Sequence, residues 1–386
     1  MAVPITRSPD DPITRSLQVL YVAYPLLTVS ESSAGGAEQV LWTLERELAR
    51  SGVQTTVAAS AGSRVSGELL STGQPCTQPD DFERRNLEHQ ERALAFLRRR
   101  VQQGRPFDFI HDHSGSFWPR AAEIPLRNGS SVAAPLLATL HLPRHFYPPR
   151  VFENIPANVS FNCVSKSQAP TFDGLEQMTG VVTNGIALDC FAPGRSGRSG
   201  LLWLGRMCEE KAPHLALEIA RAAGMPITLA SQIYPFSYHQ QYFSREVEPR
   251  LKRMQQARFL DSPSPPVRRK LLGSVQAVLL TSQVDETSSL VAMEAAASGT
   301  PVVAFRRGAL PEIVQEGVTG FLVNDVDGAV QALRRTAEIS PETCRQHARK
   351  NFSGLGMALA YVALYERVLS REVGPDLPLP GWQRAS

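Results

Sequence analysis

The sequence predicts an α/β protein made of two doubly wound domains in tandem, and three observations carry that expectation. Apolar stretches of strand character alternate with amphipathic helical stretches along the chain, the pattern of parallel sheets covered on both faces. At 386 residues the chain exceeds the size at which a single core stops growing. Around "FAPGRSGRSG" (191–200), Gly, Ser, Arg and Pro replace the apolar pattern as in a linker, and a fresh strand-helix cycle begins directly after it.

In the first half "LQVLYVAY" (17–24) reads as the opening strand. "GGAEQVLWTLERELARSG" follows as a helix with Val40, Leu41, Leu44 and Leu48 on one face, stopped by Gly52. "QTTVAAS", "FDFIHDH", "PLLATLH", "FNCVS" and "GVVTNG" continue the sheet as apolar runs. In the second half "LLWLGRM", "PITLAS", "ARFLDS", "VQAVLLTS", "PVVAF" and "GFLVN" read as strands, with helices at "KAPHLALEIARAAG", "PVRRKLLGS", the stretch before "PVVAF", and "LPEIVQEG". "MALAYVALYERVL" (357–369) is an amphipathic helix. The expected division is a frayed segment 1–16, a first domain 17–192, a second domain 199–354, a C-terminal helix 355–372 packing back on the body, and a loose tail 373–386.

Composition removes several function classes. A net charge of +3, without a Lys/Arg tract or zinc-finger spacing, argues against nucleic acid as a partner. The five cysteines are scattered and never in a C-x-x-C pair, which fits reduced thiols rather than a disulfide framework. "MAVPITRSPDDPITRS" places Pro and Asp where a signal peptide needs apolar residues, and no run of 18 apolar residues occurs. A cytoplasmic protein is expected, peripheral to the inner membrane face only if its substrate is a lipid.

Four features fall at strand ends, where ligands of doubly wound sheets bind. Gly35 and Gly36 open a helix, and backbone without side chains can approach a ligand there, although a Gly pair is also ordinary turn chemistry. Arg206 and Lys211 in "LGRMCEEK" place two cations beside a helix start, suited to a diphosphate or to a solvated pairing with Glu209 and Glu210. Glu286 and Glu294 bracket "TSS" and the first turns of a helix, on the order of 10 Å apart at 1.5 Å rise per residue. Glu294 sits among Met293 and Ala295 to Ala297, where an ionised carboxylate needs either water or a donor. His111, His113 and His141 end apolar strands; H-x-H with Asp112 invites a metal, but a zinc site needs further ligands and no other cluster appears, so none is expected. His141 would face the crevice between domains or be a satisfied core histidine. Tyr234, Tyr238 and Tyr242, four apart, read as a packed helix face.

Taken in order, Arg206, Lys211, Glu286 and Glu294 make the chain resemble the retaining nucleotide-sugar glycosyltransferases of family 4, which have the GT-B fold of two Rossmann-like domains facing across a cleft. The matching stretches are "AGGAEQVLWTLERELARSG", "VVTNGIALDCFAPG", "LGRMCEEKAPHLALEIA", "ETSSLVAMEAAASGTPVVAFRRGALPEIVQEGVTGFLVND" and "FSGLGMALAYVALYERVL". The Glu-x7-Glu block with Gly-Thr-Pro-Val-Val after it is the specific part. The resemblance implies transfer of a hexose from a nucleotide diphosphate sugar, a UDP- or GDP-sugar, to a hydroxyl of a glycan, a lipid-linked sugar or a small molecule, with no metal or other cofactor. It implies Arg206 and Lys211 on the diphosphate, Glu286 on hydroxyls of the moving sugar, Glu294 on the ribose diol, and His141 beside the reacting sugar. The amides around Ser289, Leu290 and Val291 would help hold the donor, and Gly35 and Gly36 would approach from the other domain. A non-catalytic nucleotide- or glycan-binding protein and a GT-B sugar epimerase are the alternatives. Two departures stand out: Thr287-Ser288-Ser289 replaces a Gly-containing stretch, and Ala212-Pro213 stands where Gly commonly follows the Lys. Phe259 to Ser262 is the candidate for base contacts and "LPRHFYPPR" (142–150) for the acceptor side.

Overall fold

The computed structural model describes residues 17–373, apart from 77, 126–129, 131, 195, 196 and 235. The expected frayed segment 1–16 and nearly all of the tail lie outside the described residues. Two parallel sheets form the body. The first holds β1 (Gln18–Val22), β2 (Gln54–Ala59), β3 (Glu68–Ser71), β4 (Phe109–Asp112), β5 (Leu136–Leu140), β6 (Val159–Cys163) and β7 (Met178–Val181), in the spatial order β3-β2-β1-β4-β5-β6-β7. The second holds β8 (Leu201–Leu204), β9 (Ile227–Ser231), β10 (Ala257–Asp261), β11 (Ala277–Leu280), β12 (Val302–Phe305) and β13 (Gly320–Val323), in the order β10-β9-β8-β11-β12-β13. These are two doubly wound domains of the GT-B kind.

Each sheet is covered on both faces, so its central strands read as continuous apolar runs: Val19, Leu20, Tyr21 and Val22 of β1 are all fully buried. In each sheet the strand order reverses once, between β1 and β4 and between β8 and β11. A crevice opens beyond the carboxyl ends of the strands at such a point, because the connections leave in opposite directions. That places the loops carrying Gly35, His113, Arg206 and Glu286 at the two crevices.

The helix Gly354–Val373 returns to the first domain, where Met357, Tyr361, Leu364 and Tyr365 join a core with Val19, Tyr21, Leu44 and Phe109. The short edge strand β3 is absent from the sequence expectation. Its four residues are half-buried or exposed, so "ELLS" carries neither an apolar run nor clean alternation. The tyrosine triplet is corrected: the helix begins at Ser237, so Tyr234 precedes it, Tyr238 is 56% exposed, and Tyr242 alone is anchored, its hydroxyl 2.6 Å from His214 Nδ1.

Candidate active site

Between the domains lies a cleft with an empty volume of about 1640 Å³. Gly35, Gly36 and His141 line it from the first domain; Arg206, Lys211, Ser289, Leu290, Val291 and Glu294 line it from the second. Of the residues to which the resemblance gives a role toward the donor or the reacting sugar, Glu286 alone does not line it.

The two lobes touch at several points around this cleft. Thr287 Oγ1 donates to the carbonyl of His141 at 2.8 Å, and the Glu312 carboxylate accepts from the backbone amides of Lys166 and Ser167 at 2.9 and 2.6 Å. Arg269 pairs with Glu31. Thr287, where the family pattern has a Gly-containing stretch, therefore supplies a hydroxyl that bridges the domains.

Arg206 follows β8 as an exposed side chain, and Lys211 ends a single 3₁₀ turn, Glu209–Lys211. The next residue, Ala212, is fully buried in the left-handed region at φ 47°, ψ 54°, and Pro213 then starts the helix Pro213–Ala223. Pro213 is thus well accommodated, while the strain of the departure from Gly falls on Ala212. Thr281 holds this strained turn by donating to the carbonyls of Lys211 and Ala212 at 3.0 and 2.8 Å. Ala212→Gly is expected to raise unfolding stability by about 1 kcal/mol, measured by denaturant titration.

Glu286 does not stand free. Its Oε1 accepts from both Lys211 Nζ and Ser282 Oγ, with the carboxylate mostly shielded from solvent. The solvated pairing weighed for the two cations, with Glu209 and Glu210, does not form among the described residues; Lys211 pairs with Glu286, and Arg206 has no ion pair there.

Glu294 is half-buried on the helix Leu290–Ala297, whose N-cap is the Ser289 side chain accepting from Ala292 N. Burial pushes the Glu294 carboxyl up to about 6, and the charges of Arg268 and Arg269 oppose the shift without ion-pairing to it. No side chain among the described residues donates to it. A second, narrow pocket with room for about 40 Å³ adjoins the cleft and shares Gln39, Pro265, Arg268, Leu290 and Glu294 with it.

Gly35 is the N-cap of the helix Gly36–Arg50, and a Cβ there would stand 2.0 Å from Glu38 Oε2. Sequence reasoning missed Glu38, which folds back over the first turn of this helix as a buried acid with its carboxyl pushed up to about 7 by desolvation. The available signal was an acid in the first turn of a helix behind a Gly pair.

Hydrogen bonds occupy both nitrogens of His111, one nitrogen each of His113 and His141, and the Asp112 carboxylate between them in sequence. Asp112 accepts from the Ser114, Gly115, Phe117 and Trp118 amides and the Ser114 hydroxyl at 2.6–3.1 Å, so the loop after β4 consumes it. His111 Nδ1 lies 2.7 Å from Tyr365 Oη and its Nε2 2.7 Å from Thr139 Oγ1. His113 Nδ1 lies 2.9 Å from His141 Nε2. No group of three or more His, Cys, Asp or Glu among the described residues is placed to hold a metal ion.

Of the two candidate contact segments, 259–262 reaches the cleft in part, while no residue of 142–150 lines it. Of 259–262, Phe259 packs on Phe243 and only Ser262 lines the cavity, joined by Pro263 and Ser264. Of 142–150, Tyr147 is buried against Phe152 and Phe172, and Arg144 lies over Phe152. Leu142 and Phe146, the latter 60% exposed, are the large apolar side chains this segment leaves to solvent.

Comparison with known proteins adds to this geometry. Residues 34–166 match the family described as Glycosyltransferase Family 4, and residues 198–338 match Glycosyl transferases group 1. Each domain is thus similar to a glycosyltransferase family. The first match takes in β2 to β6, and the second spans all of β8 to β13 and contains Arg206, Lys211, Glu286 and Glu294. Among relatives, a D-inositol 3-phosphate glycosyltransferase of Corynebacterium efficiens is 36% identical over 129 residues, covering 31% of this chain and 30% of that protein. The chain thus spans under a third of that relative's length. Two solved structures share the fold of the paired glycosyltransferase domains. AviGT4, described as a glycosyltransferase involved in avilamycin A biosynthesis, aligns with a TM-score of 0.67 at 22% identity, covering 92% of this chain and 98% of its own. Anabaena Alr3699/HepE in complex with UDP-glucose aligns with a TM-score of 0.65 at 16% identity, covering 92% and 100%.

Proposed function

We propose that this protein is a retaining glycosyltransferase that moves a hexose from a UDP- or GDP-sugar to a hydroxyl acceptor without a metal. The observation that carries the reading is the convergence of Arg206, Lys211, Glu294 and the start of the helix Leu290–Ala297 on one cleft, opposite Gly35, Gly36 and His141. Cations and helix amides on one wall suit a diphosphate, and an unpartnered carboxylate farther along suits a diol.

In this reading Arg206 and Lys211 bind the diphosphate and stabilise the charge that grows on it as the glycosidic bond breaks. The donor amides around Ser289 to Val291 assist. Glu294 accepts from the ribose hydroxyls, and Glu286 accepts from hydroxyls of the sugar. The departing phosphate takes the acceptor proton on the same face, which retains the anomeric configuration. The related AviGT4 and HepE share the fold, and HepE is described in complex with UDP-glucose, so a nucleoside diphosphate sugar is the first donor class to try. No helix among the described residues is long and apolar enough to cross a membrane, and a cytoplasmic location completes the proposal.

The test is incubation with a panel of UDP-, GDP- and ADP-sugars, reading transfer and slow donor hydrolysis. Neither product with any donor would defeat the proposal.

Glu294 makes the reading pH-dependent with a definite sign. Its free-state pKa is raised from 4.5 to about 6, so it is ionised above that value and protonated below. Nucleotide affinity is expected to fall as pH drops through about 6, because the neutral acid is the poorer acceptor. In the unliganded protein the same shift means that ionisation costs stability above pH 6, and that the cost disappears as pH falls toward 4.5. Glu294→Gln is therefore expected to stabilise the free protein at pH 8 by at most about 2 kcal/mol, to lose that advantage near pH 4.5, and to weaken nucleotide binding. Calorimetric titration with UDP and GDP, beside denaturant titration at the two pH values, checks both signs.

A further inference from the structure

We propose that His113 is a positioning residue that sets the tautomer of His141, holding it with the proton on Nδ1 so that the N–H donates into the cleft. This deepens the proposed function and rests on it for the ligand, a hydroxyl-bearing sugar; the tautomer itself does not depend on that reading.

The inference starts from the hydrogen bond between His113 Nδ1 and His141 Nε2, 2.9 Å long and buried. Burial drives the pKa of both rings below the ordinary histidine value, so both are neutral and one nitrogen of the pair must donate while the other accepts. The direction follows from the far side of His113. Its Nε2 is buried with no partner among the described residues. If His141 donated, His113 would carry its proton on Nε2 and bury an N–H with no acceptor. If His113 donates, Nε2 keeps only an unshared lone pair. Orphaned buried N–H groups are the rarer of the two, so His113 donates from Nδ1 and His141 accepts at Nε2.

That leaves His141 protonated on Nδ1. His141 lines the cleft, and its Nδ1 has no hydrogen-bond partner among the described residues. The donor is thus offered to whatever fills the space between the domains.

The His113 ring is held against alternatives from both sides. Behind it, at a centroid distance of 4.1 Å, lies His111, both of whose nitrogens are occupied by Tyr365 and Thr139. In front, the His141 ring stacks at 5.1 Å and 28°. Asp112, next to His113 in sequence, is locked by its five donors, and the His141 carbonyl is fixed by Thr287. These contacts keep His113 Nδ1 and His141 Nε2 facing each other, so the position of the proton alone decides the tautomers.

Two readouts test this. Nitrogen-15 spectroscopy of the full chain with labelled histidine, assigned by comparison with His141→Gln, reports which ring nitrogen of His141 carries the proton. Nδ1 is expected in the native protein, and Nε2–H there would overturn the proposal. His113→Leu removes the donor and is expected to let the Nε2–H form of His141 appear, while His113→Asn, whose amide N–H stands close to the position of Nδ1, is expected to restore the Nδ1–H form. An unchanged tautomer in a folded His113→Leu would also overturn it. In the donor assay His113→Leu is expected to lower kcat about tenfold, the loss of one good hydrogen bond, with UDP or GDP affinity unchanged and with partial recovery in His113→Asn. A changed tautomer with unchanged kcat would overturn the role of His141 toward the sugar. Absence of transfer by the native protein, with the tautomer as assigned, would defeat the proposed function and leave the histidine assignment standing.

Discussion

Arg206→Ala is expected to lower kcat by about 10²–10³-fold, the usual loss when one preorganised donor to a developing negative charge is removed. The reason is its state in the unliganded protein. Arg206 is exposed at the end of β8, lines the cleft and carries no ion pair among the described residues, so its charge is available to the leaving diphosphate without first breaking a bond. Stability should change little, because no hydrogen bond or ion pair among the described residues uses the guanidinium. The check is kcat with the best donor from the panel, alongside the affinity of the bare nucleoside diphosphate, which should weaken as well. A variant that keeps full turnover would remove Arg206 from the mechanism.

Glu286→Ala is the second large effect, and it should separate binding from transfer. The carboxylate is tied to Lys211 and Ser282 in the free structure. Removing it releases the Lys211 ammonium, so UDP or GDP should bind as well as before or more tightly. The sugar loses its acceptor, and transfer should fall by about 10–100-fold for one or two charge-assisted hydrogen bonds. Lys211→Ala does the opposite. It strips the diphosphate of a cation and leaves a shielded carboxylate with only a hydroxyl, so nucleotide affinity and stability should both fall. Equal loss of nucleotide affinity in the two variants would break the assignment of Glu286 to the sugar and Lys211 to the diphosphate. On the proposed roles, an entering diphosphate would compete with Glu286 for Lys211, and the sugar hydroxyls would compete with Lys211 for Glu286.

Much of the fold was legible because buried parallel strands must be apolar along their length. "QVLYV", "LLATL", "LLWL" and "VVAF" declare themselves, and the Gly, Ser and Pro of 191–200 declare the change of domain. β3 did not, since a half-exposed edge strand has no such constraint. The tyrosines four apart suggested a helix face that the chain does not make, because the helix starts only at Ser237 and Tyr234 lies before it, in the cleft. Periodicity cannot see where a helix starts when no capping side chain marks it.

Local pattern was enough to say which chemical groups arrive at the strand ends: the cations at 206 and 211, the acids at 286 and 294, the Gly pair at 35 and 36, and the histidines at the ends of β4 and β5. Strand, loop and helix boundaries follow from that pattern. How those groups meet is a matter of long-range packing. The Lys211–Glu286 pair, the His113–His141 bond, the left-handed Ala212 clamped by Thr281, and the buried Glu38 all join residues whose charges and hydrogen bonds depend on which neighbours exclude water. A carboxylate's pKa and a histidine's tautomer belong to that environment, which is assembled from chain segments far apart in sequence.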